Sequence, residues 1–423
     1  MIKIKNFRWW IVGLLMLATA LNYLDKQNLS AVISELRKDI AIDNIAFGRL
    51  GFMFLFAYAL MYMGGGKIID WVGPKTGLLL MVVWWSGANM LCGMVSGLAG
   101  LYAARFLLGL GQGGSFPGCA KVASEWFPPR ERSFAFGLFN TGSSIGALAA
   151  PLLAFFIISS FSWRWVFVFT GLAGFVWAVI WYFFYNNPTK SKFITSEELS
   201  LIGGSGDSNT EKTADDFDIK WSKLFSYRQL WGLLSSKFLV DSAFYFIIFW
   251  LPKYLADARG LDIKGIGYIA WIPYACMGGG SFIGGWFSSF LIKKGISIDK
   301  SRKISLGIAA AMMPVSMFIT SAPLGLTIIF FSIATFAHQF YSTIIQTTCT
   351  DLFPKKVVGA VSGLAGSFGS FGAMLFSLLA GQIIQSFGYS PVFFMVGLMH
   401  PIGFLIVMVV IRNFNQVKPL TAQ

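Results

Sequence analysis

Residues Phe7 to Val32 form the stretch FRWWIVGLLMLATALNYLDKQNLSAV, which is mostly apolar and long enough to cross a bilayer as one helix. Two charged residues, Asp25 and Lys26, lie side by side within it. A charge at membrane depth costs about 2.5 kcal/mol or more on insertion scales, and it is kept mainly where it faces a polar cavity that serves a substrate or an ion. The stretch therefore predicts a membrane-spanning helix beside a transport pathway.

The composition is that of an integral membrane protein, because 56% of the 423 residues are hydrophobic and only 12% are charged, against roughly 25% charged in soluble domains. The net charge of +14 does not indicate nucleic-acid binding, since the basic residues recur between apolar segments and form no single patch. The four cysteines lie in apolar stretches without metal-ligand spacing. We expect no metal site, no cofactor and no nucleic-acid partner.

Apolar segments of about 20 residues follow one another in two groups of six, separated by a polar region. They lie at about 8–31, 46–70, 76–96, 99–122, 133–158, 163–185, 229–256, 265–292, 303–320, 323–349, 358–386 and 391–412. The polar region cannot bury a core. We predict an all-α integral membrane fold of twelve transmembrane helices in two pseudo-symmetric bundles: an N-terminal six-helix bundle at 1–185, a cytoplasmic linker at 186–228 and a C-terminal six-helix bundle at 229–423.

Lysine and arginine are concentrated in alternate loops. They flank the connections from segments 2 to 3, 4 to 5, 8 to 9 and 10 to 11, whereas the connections from 3 to 4, 9 to 10 and 11 to 12 contain none. By the positive-inside rule, the even-to-odd loops, the linker and both termini are predicted to lie in the cytoplasm. We expect a multi-pass protein of the inner cell membrane.

The two groups of segments contain an internal repeat. The sequence EWFPPRERSFAFGLFNTGSSIG, Glu125 to Gly146, aligns without gaps on DLFPKKVVGAVSGLAGSFGSFG, Asp351 to Gly372. The same offset places Gln112 opposite His338, so polar residues stand at equivalent places inside two apolar segments. The two halves are therefore predicted to be parallel copies that share a central cavity.

Two parallel six-helix copies joined by a cytoplasmic linker resemble the major facilitator superfamily. GKIIDWVGPK, Gly66 to Lys75, is similar to the superfamily signature G-x-x-x-D-x-x-G-x-K. The stretches NYLDKQNLS in segment 1, RFLLGLGQGGSFP in segment 4 and EWFPPRER after it resemble the anion:cation symporter branch. FWLPKYL in segment 7 and AHQFYST in segment 10 are similar to its hexuronate transporter group.

This resemblance implies a secondary active transporter that imports a small organic anion, a sugar acid such as a hexuronate, by proton-coupled symport with alternating access. Alternatives are a sodium-coupled carrier, an exchanger of another organic anion, or a transporter-like sensor. We expect a monomer in the lipid bilayer. We expect no enzyme, because no nucleophile–base pair, metal cluster or phosphate loop is found outside the spanning segments.

The resemblance also implies residue roles. The coupling Asp of the family falls on Asp25, its neighbouring Arg on Lys26, its helix 2 Tyr on Tyr58, its helix 4 Arg on Arg105 and its second coupling carboxylate on Gln112. Lys26 keeps the positive charge but lacks the planar fork that suits a carboxylate. Gln112 cannot ionise, which puts a second protonatable group in doubt. Both Lys26 and Gln112 are predicted to bind the substrate.

Two of these charged residues have structural alternatives. Asp25 is predicted to carry the coupling proton, and its alternative is an ion pair that locks segment 1 to segment 4. Arg105 is predicted to grip the substrate carboxylate or to compensate Asp25, and its alternative is snorkelling to the outer interface. Lys26 carries the same ambiguity.

Polar residues of the remaining segments are predicted to read substrate hydroxyls. These are Tyr58, Asn140, Tyr245, His338 and Gln339. For the tyrosines the alternative role is packing, and for Asn140 it is a hydrogen bond between helices. A lone core histidine is commonly a satisfied hydrogen-bonder, but the repeat position of His338 favours substrate contact.

Charged residues at the cytoplasmic helix ends are predicted to act as gates. The set is Asp70, Lys75, Glu125, Arg130, Asp351 and Lys356. Such charge networks latch one state of an alternating transporter. We expect them to alter rate and not substrate choice.

Overall fold

The computed structural model describes residues 3–127, 129–203, 221–415 and 417. Over this part of the chain the secondary structure is helical, without strands. The all-α class predicted from the apolar segments is confirmed.

Nine helices precede residue 204. They are α1 (Phe7–Ala31), α2 (Ile33–Asp39), α3 (Asn44–Val72), α4 (Pro74–Met94), α5 (Leu98–Gly113), α6 (Ser115–Trp126), α7 (Pro129–Ile158), α8 (Arg164–Phe184) and α9 (Ser196–Gly203). A short 3-10 turn at Pro188–Lys190 lies between the last two.

Seven helices lie in the described residues after 220. They are α10 (Arg228–Arg259), α11 (Ile263–Ile269), α12 (Trp271–Lys293), α13 (Ile298–Met312), α14 (Leu324–Leu352), α15 (Lys355–Phe387) and α16 (Ser390–Ile406). Two 3-10 turns, Trp221–Ser226 and Met313–Phe318, and a π-helical turn, Val407–Ile411, complete this part.

Ten candidate membrane spans are present in the described residues, and each coincides with one of the predicted segments. The other two segments are interrupted. Segment 99–122 divides into α5 and α6 at Gly114. Segment 303–320 changes from α13 to a 3-10 turn that has a proline near its start, where the missing N–H is tolerated.

The chain divides into two compact units. The first unit is Met1–Ala41 with Phe56–Thr210, and the second is Ile42–Leu55 with Glu211–Gln423. The bundle boundaries at residues 185 and 229 stay a prediction.

Glycines bring helix backbones of the first unit into direct contact. A Cβ on Gly146 of α7 would lie 2.0 Å from the carbonyl oxygen of Ala20 on α1, and one on Gly142 would lie 2.1 Å from that of Met16. Gly174 of α8 is packed in the same way against the Ser86 hydroxyl of α4. These small residues let α1, α4, α7 and α8 approach closely.

The second unit uses the same device. A Cβ on Gly372 of α15 would lie 2.1 Å from the carbonyl oxygen of Phe238 on α10. Gly372 is the repeat counterpart of Gly146, so the aligned glycines make equivalent close contacts in their own units. This supports the internal repeat.

The start of the predicted linker is packed on α1. The amides of Phe7 and Arg8 each donate to the Glu198 carboxylate of α9 over 3.0 Å, and the ring of Phe193 lies 5.3 Å from that of Phe7. A carboxylate satisfies the free N–H groups at a helix start. Glu198 is buried in this contact, and the assignment of 186–228 as a linker stays a prediction. Residues 204–220 lie outside the described part.

Candidate functional site

Asp25 lies in a polar cluster that is fully buried in the first unit. Its Oδ1 accepts hydrogen bonds from the side-chain amides of Asn89 on α4 (2.9 Å) and Asn28 on α1 (3.4 Å). Both amides also donate to the Thr170 hydroxyl of α8 over 2.8 Å. In the described residues no lysine or arginine lies within ion-pair distance of Asp25, so the ion pair to segment 4 is not formed.

Several polar atoms of this cluster are not satisfied. Within the described residues, Oδ2 of Asp25, Oδ1 of Asn28, Oδ1 of Asn89 and the Trp85 indole nitrogen are buried without a hydrogen-bond partner. A buried polar atom without a partner is costly, and several in one place make this cluster a candidate functional site.

The close approach of α1, α4 and α8 holds this cluster together. The Trp177 indole on α8 donates to the Leu14 carbonyl of α1 over 2.8 Å. The contact of Gly174 with Ser86 brings α8 against α4. Asn89 and Thr170 therefore reach the carboxyl group from two neighbouring helices.

Lys26 is completely buried and faces aromatic rings. Its Nζ lies 4.2 Å from the centre of the Tyr23 ring and 4.5 Å from that of Tyr58. Stacking over ring faces offsets part of the cost of removing an ammonium group from water. Lys26 therefore does not snorkel in this structure.

Arg105 and Gln112 lie on α5, and both are buried. The Gln112 amide donates to the Asn22 carbonyl of α1 over 3.1 Å. A Cβ on Gly113 would lie 2.4 Å from the Tyr58 carbonyl, so α5 is pressed against α3 at this point. With Lys26, the first unit thus holds two buried basic side chains.

Asn140 on α7 is half-buried, and its side-chain amide makes no hydrogen bond within the described residues. The ring of Tyr58 lies 5.8 Å from that of Tyr62. Tyr58, one of the two residues of this unit predicted to contact substrate hydroxyls, thus packs against another aromatic ring. The side-chain amide of the other, Asn140, has no partner among the described residues.

The predicted residues of the second unit surround a histidine pair. Nδ1 of His338 on α14 lies 3.1 Å from Nε2 of His400 on α16. Phe244 of α10 stacks on the His338 ring at 4.1 Å with an angle of 8°. Tyr245 packs against Phe244, with their ring centres 5.5 Å apart. His338 is thus held by neighbours on two other helices.

Gln339 follows His338 on α14 and is half-buried. Its side chain makes no hydrogen bond within the described residues, and only its carbonyl accepts, from the Thr343 hydroxyl over 2.9 Å. The Gln339 side-chain amide therefore has no hydrogen-bond partner among the described residues.

A buried ion pair that was not predicted from the sequence lies on α10. Lys237 Nζ lies 2.8 Å from Oδ1 and 2.7 Å from Oδ2 of Asp241, and both side chains are almost buried. The spacing of four residues inside an apolar segment was the available signal. Asn89, Thr170 and His400 were also missed; each is a single polar residue in an apolar helix whose partners are distant in sequence.

Three predicted gating residues have defined contacts. Lys75 donates to the Asn186 side chain over 2.9 Å, and Arg302 pairs with Asp351 over 2.8 Å. The Tyr185 hydroxyl donates to Glu125 over 3.5 Å; burial and the nearby Glu125 charge raise the pKa of Tyr185. The side chains of the other three, Asp70, Arg130 and Lys356, lie outside the described part of the structure.

A cavity of about 810 Å³ lies in the second unit among α11, α12, α13 and α14. Its lining is apolar apart from Ser332, and includes Cys276, Ile328 and Phe336. Because no charged side chain lines it, this cavity does not suit an organic anion.

The family model of the Major Facilitator Superfamily matches residues 15–377 and 294–421. A hexuronate transporter of Escherichia coli (strain K12) is 31% identical over 418 residues, which cover 97% of this chain and 95% of that protein. A probable galactarate/D-glucarate transporter of Bacillus subtilis (strain 168) is 31% identical over 400 residues, 91% of this chain and 88% of that protein. These matches and the helical fold define a membrane transporter.

Solved structures agree on the fold. A bacterial homolog of the human lysosomal transporter Spinster, in an inward-facing and occupied conformation, matches with a TM-score of 0.76 at 17% identity, over 97% of this chain and 98% of that one. A D-xylose-proton symporter matches with a TM-score of 0.74 at 15% identity, over 97% and 99%. The chain belongs to the major facilitator superfamily, and it is a multi-pass transporter and not an enzyme.

Proposed function

We propose that this protein is a proton-coupled symporter that imports a monocarboxylate sugar acid, such as a hexuronate, by alternating access. It works as a monomer in the inner cell membrane with both termini in the cytoplasm. The names of the relatives support a sugar acid. The buried basic side chains and the Asp25 cluster support an anionic substrate and a coupling proton.

The environment of Asp25 is the observation that carries proton coupling. The carboxyl group is completely buried, receives hydrogen bonds only from neutral groups and has no cation in ion-pair distance among the described residues. A proton on Oδ2 turns this oxygen into a hydrogen-bond donor in a cluster whose Asn28 and Asn89 oxygens find no donor among the described residues. Protonation also removes the cost of a buried charge that has no counter-ion.

The buried basic side chains are the observation that supports an anionic substrate. Lys26 and Arg105 are buried basic side chains of the first unit, and each can serve a carboxylate of the substrate. A charge-assisted hydrogen bond to a carboxylate is about twice as strong as a neutral one. The proposed contacts to the hydroxyl groups of the substrate are Tyr58, Asn140, Tyr245, His338 and Gln339. Gln112 positions α1 through its hydrogen bond to the Asn22 carbonyl.

Sodium coupling is the second candidate, and one observation favours it. The three unpaired oxygens around Asp25 are hard acceptors of the type that binds group I and II cations. Exchange without any coupling ion is the remaining alternative.

Uptake by the purified protein in proteoliposomes separates these modes. We expect a pH gradient, acid outside, to drive accumulation of D-galacturonate in the absence of sodium. Accumulation that requires a sodium gradient instead contradicts the proton as driving ion, and counterflow without response to either gradient indicates an exchanger. Liposomes without protein are the control.

A further inference from the structure

His338 and His400 are buried and are joined by one hydrogen bond, between Nδ1 of His338 and Nε2 of His400. The rings meet edge to face, with their centres 5.3 Å apart and an angle of 83°. Phe244 stacks parallel on His338, and the ring edge of Tyr341 lies against His400 at 5.5 Å. Each imidazole is therefore packed against an aromatic neighbour.

One proton lies between Nδ1 of His338 and Nε2 of His400 when both rings are neutral. If His338 supplies it, His400 carries its own proton on Nδ1. If His400 supplies it, His338 carries its own proton on Nε2. The two arrangements therefore give His338 opposite hydrogen-bonding character at Nε2.

The surroundings of His400 select between these arrangements. Nδ1 of His400 is buried and has no hydrogen-bond partner. The nearby hydroxyl of Tyr341 is engaged with Ser236 at 3.0 Å and does not serve it. A buried N–H without an acceptor is rarer and less tolerated than an acceptor without a donor, so the His400 proton belongs on Nε2.

We propose that His400 is a positioning residue that fixes His338 as an Nε2–H donor for an oxygen of the sugar acid. This inference rests on the proposed function, which makes His338 a substrate contact. Nε2 of His338 makes no hydrogen bond with the described residues and is not completely buried. Its donor is therefore available to a ligand, while His400 itself touches none.

The tautomers can be observed directly, because the chain contains only two histidines. In ¹⁵N-histidine-labelled protein, NMR should show both rings protonated at Nε2. Loss of His400 in His400→Phe should leave His338 as a mixture of tautomers. Protonation of His338 at Nδ1 in the wild-type protein overturns the proposal, whether or not any variant folds.

Binding measurements test the consequence for the substrate. Dissociation constants are measured for D-galacturonate and its monodeoxy analogues. We expect His400→Phe to weaken D-galacturonate binding about tenfold but to leave one deoxy analogue unchanged, and His400→Gln, which retains an amide donor, to recover part of the loss. Tyr341→Phe is the matched control, since it removes a buried hydroxyl beside the pair and keeps the ring; it should bind like the wild type.

Failure of the inference and failure of the proposed function give different results. A wild-type protein that binds no sugar acid contradicts the proposed substrate class. Normal wild-type binding with an equal loss for every analogue in His400→Phe assigns His400 to packing alone, and overturns the inference.

Discussion

Asp25 and Lys26 are neighbours in sequence but belong to different environments. Asp25 lies among amides and a hydroxyl, whereas Lys26 faces the rings of Tyr23 and Tyr58. Successive residues of a helix point about 100° apart, so one pair of adjacent charges serves two tasks. In the proposed mechanism the carboxyl group binds the coupling ion, and the ammonium group binds the substrate anion.

Substrate affinity tests the role assigned to Lys26. Lys26→Gln removes the charge, and a lost charge-assisted hydrogen bond of about 1.5–3 kcal/mol corresponds to a KM increase of roughly 10- to 100-fold. Lys26→Arg should lose less, because it keeps the charge. The control Lys38→Gln changes an exposed lysine of the same unit; transport kinetics in which both Gln variants match the wild type refute the assignment.

At the scale of helices, glycine contacts decide where the site residues lie. Gly142 and Gly146 set α7 against α1, and α1 carries Asp25 and Lys26. The repeat places Gly372 in the equivalent contact on α10. Helix contacts of this kind bring polar side chains of neighbouring helices within hydrogen-bond distance of one another.

Stability should respond to the Gly146 contact. Gly146→Ala puts a Cβ into the Ala20 carbonyl, so we expect destabilisation of about 1–3 kcal/mol from overpacking and a lower Tm in detergent. Gly137→Ala is the matched control on the same helix, because nothing lies within 4 Å of its Cβ position. Equal Tm values for the two variants are incompatible with the close contact.

The contact between α2 and α8 should depend on pH. Asp39 accepts hydrogen bonds from the Arg164 guanidinium and from the Trp163 indole at 3.0 Å, and these bonds lower the pKa of Asp39. A lowered pKa in the folded state means that the stabilisation is present above the ordinary value and is lost as pH falls through the folded value.

Thermal unfolding at a series of pH values measures this dependence. The Tm of Asp39→Asn should lie below that of the wild type by a constant amount above about pH 5, and the gap should shrink below about pH 4. Because the pair is partly exposed, high salt should also narrow the gap. Asp262→Asn is the control: this residue caps α11 without a cation, and Asn caps equally well. A Tm gap that widens on acidification contradicts the assigned pKa direction.

The hydropathy pattern predicts where the membrane-spanning helices lie, but it does not predict where a helix is interrupted. The segments at 99–122 and 303–320 are mostly apolar and were each predicted as one helix, yet they break at Gly114 and before Pro314. Composition also does not predict that the Glu198 carboxylate of α9 accepts from the amides at the start of α1, because these residues are distant in sequence.

Motifs located Asp25, Lys26, Arg105 and Gln112 because these residues lie in local patterns. Asn89 and Thr170 join the Asp25 cluster, and His400 joins His338, through contacts between helices that are distant in sequence. No local sequence pattern predicts these contacts. Their common trait is a polar side chain in an apolar segment, which identifies a candidate but not its partner.

At the scale of the whole molecule, the two units carry different chemistry. In its described residues the first contains a buried carboxyl group without an ion pair and two buried basic side chains, while the second contains a histidine pair and the ion pair of Lys237 and Asp241. Since Asp241 is paired with Lys237, the proposal assigns proton coupling to Asp25. The transporter should lose its driving force with that one group.

Concentrative uptake by Asp25→Asn in proteoliposomes is the most direct test of this claim. The amide preserves the size of the side chain but binds no proton, so we predict no accumulation of D-galacturonate under a pH gradient, together with preserved counterflow. Asp39→Asn, the same change at an exposed position, should accumulate substrate like the wild type. Undiminished pH-driven accumulation by Asp25→Asn contradicts the account.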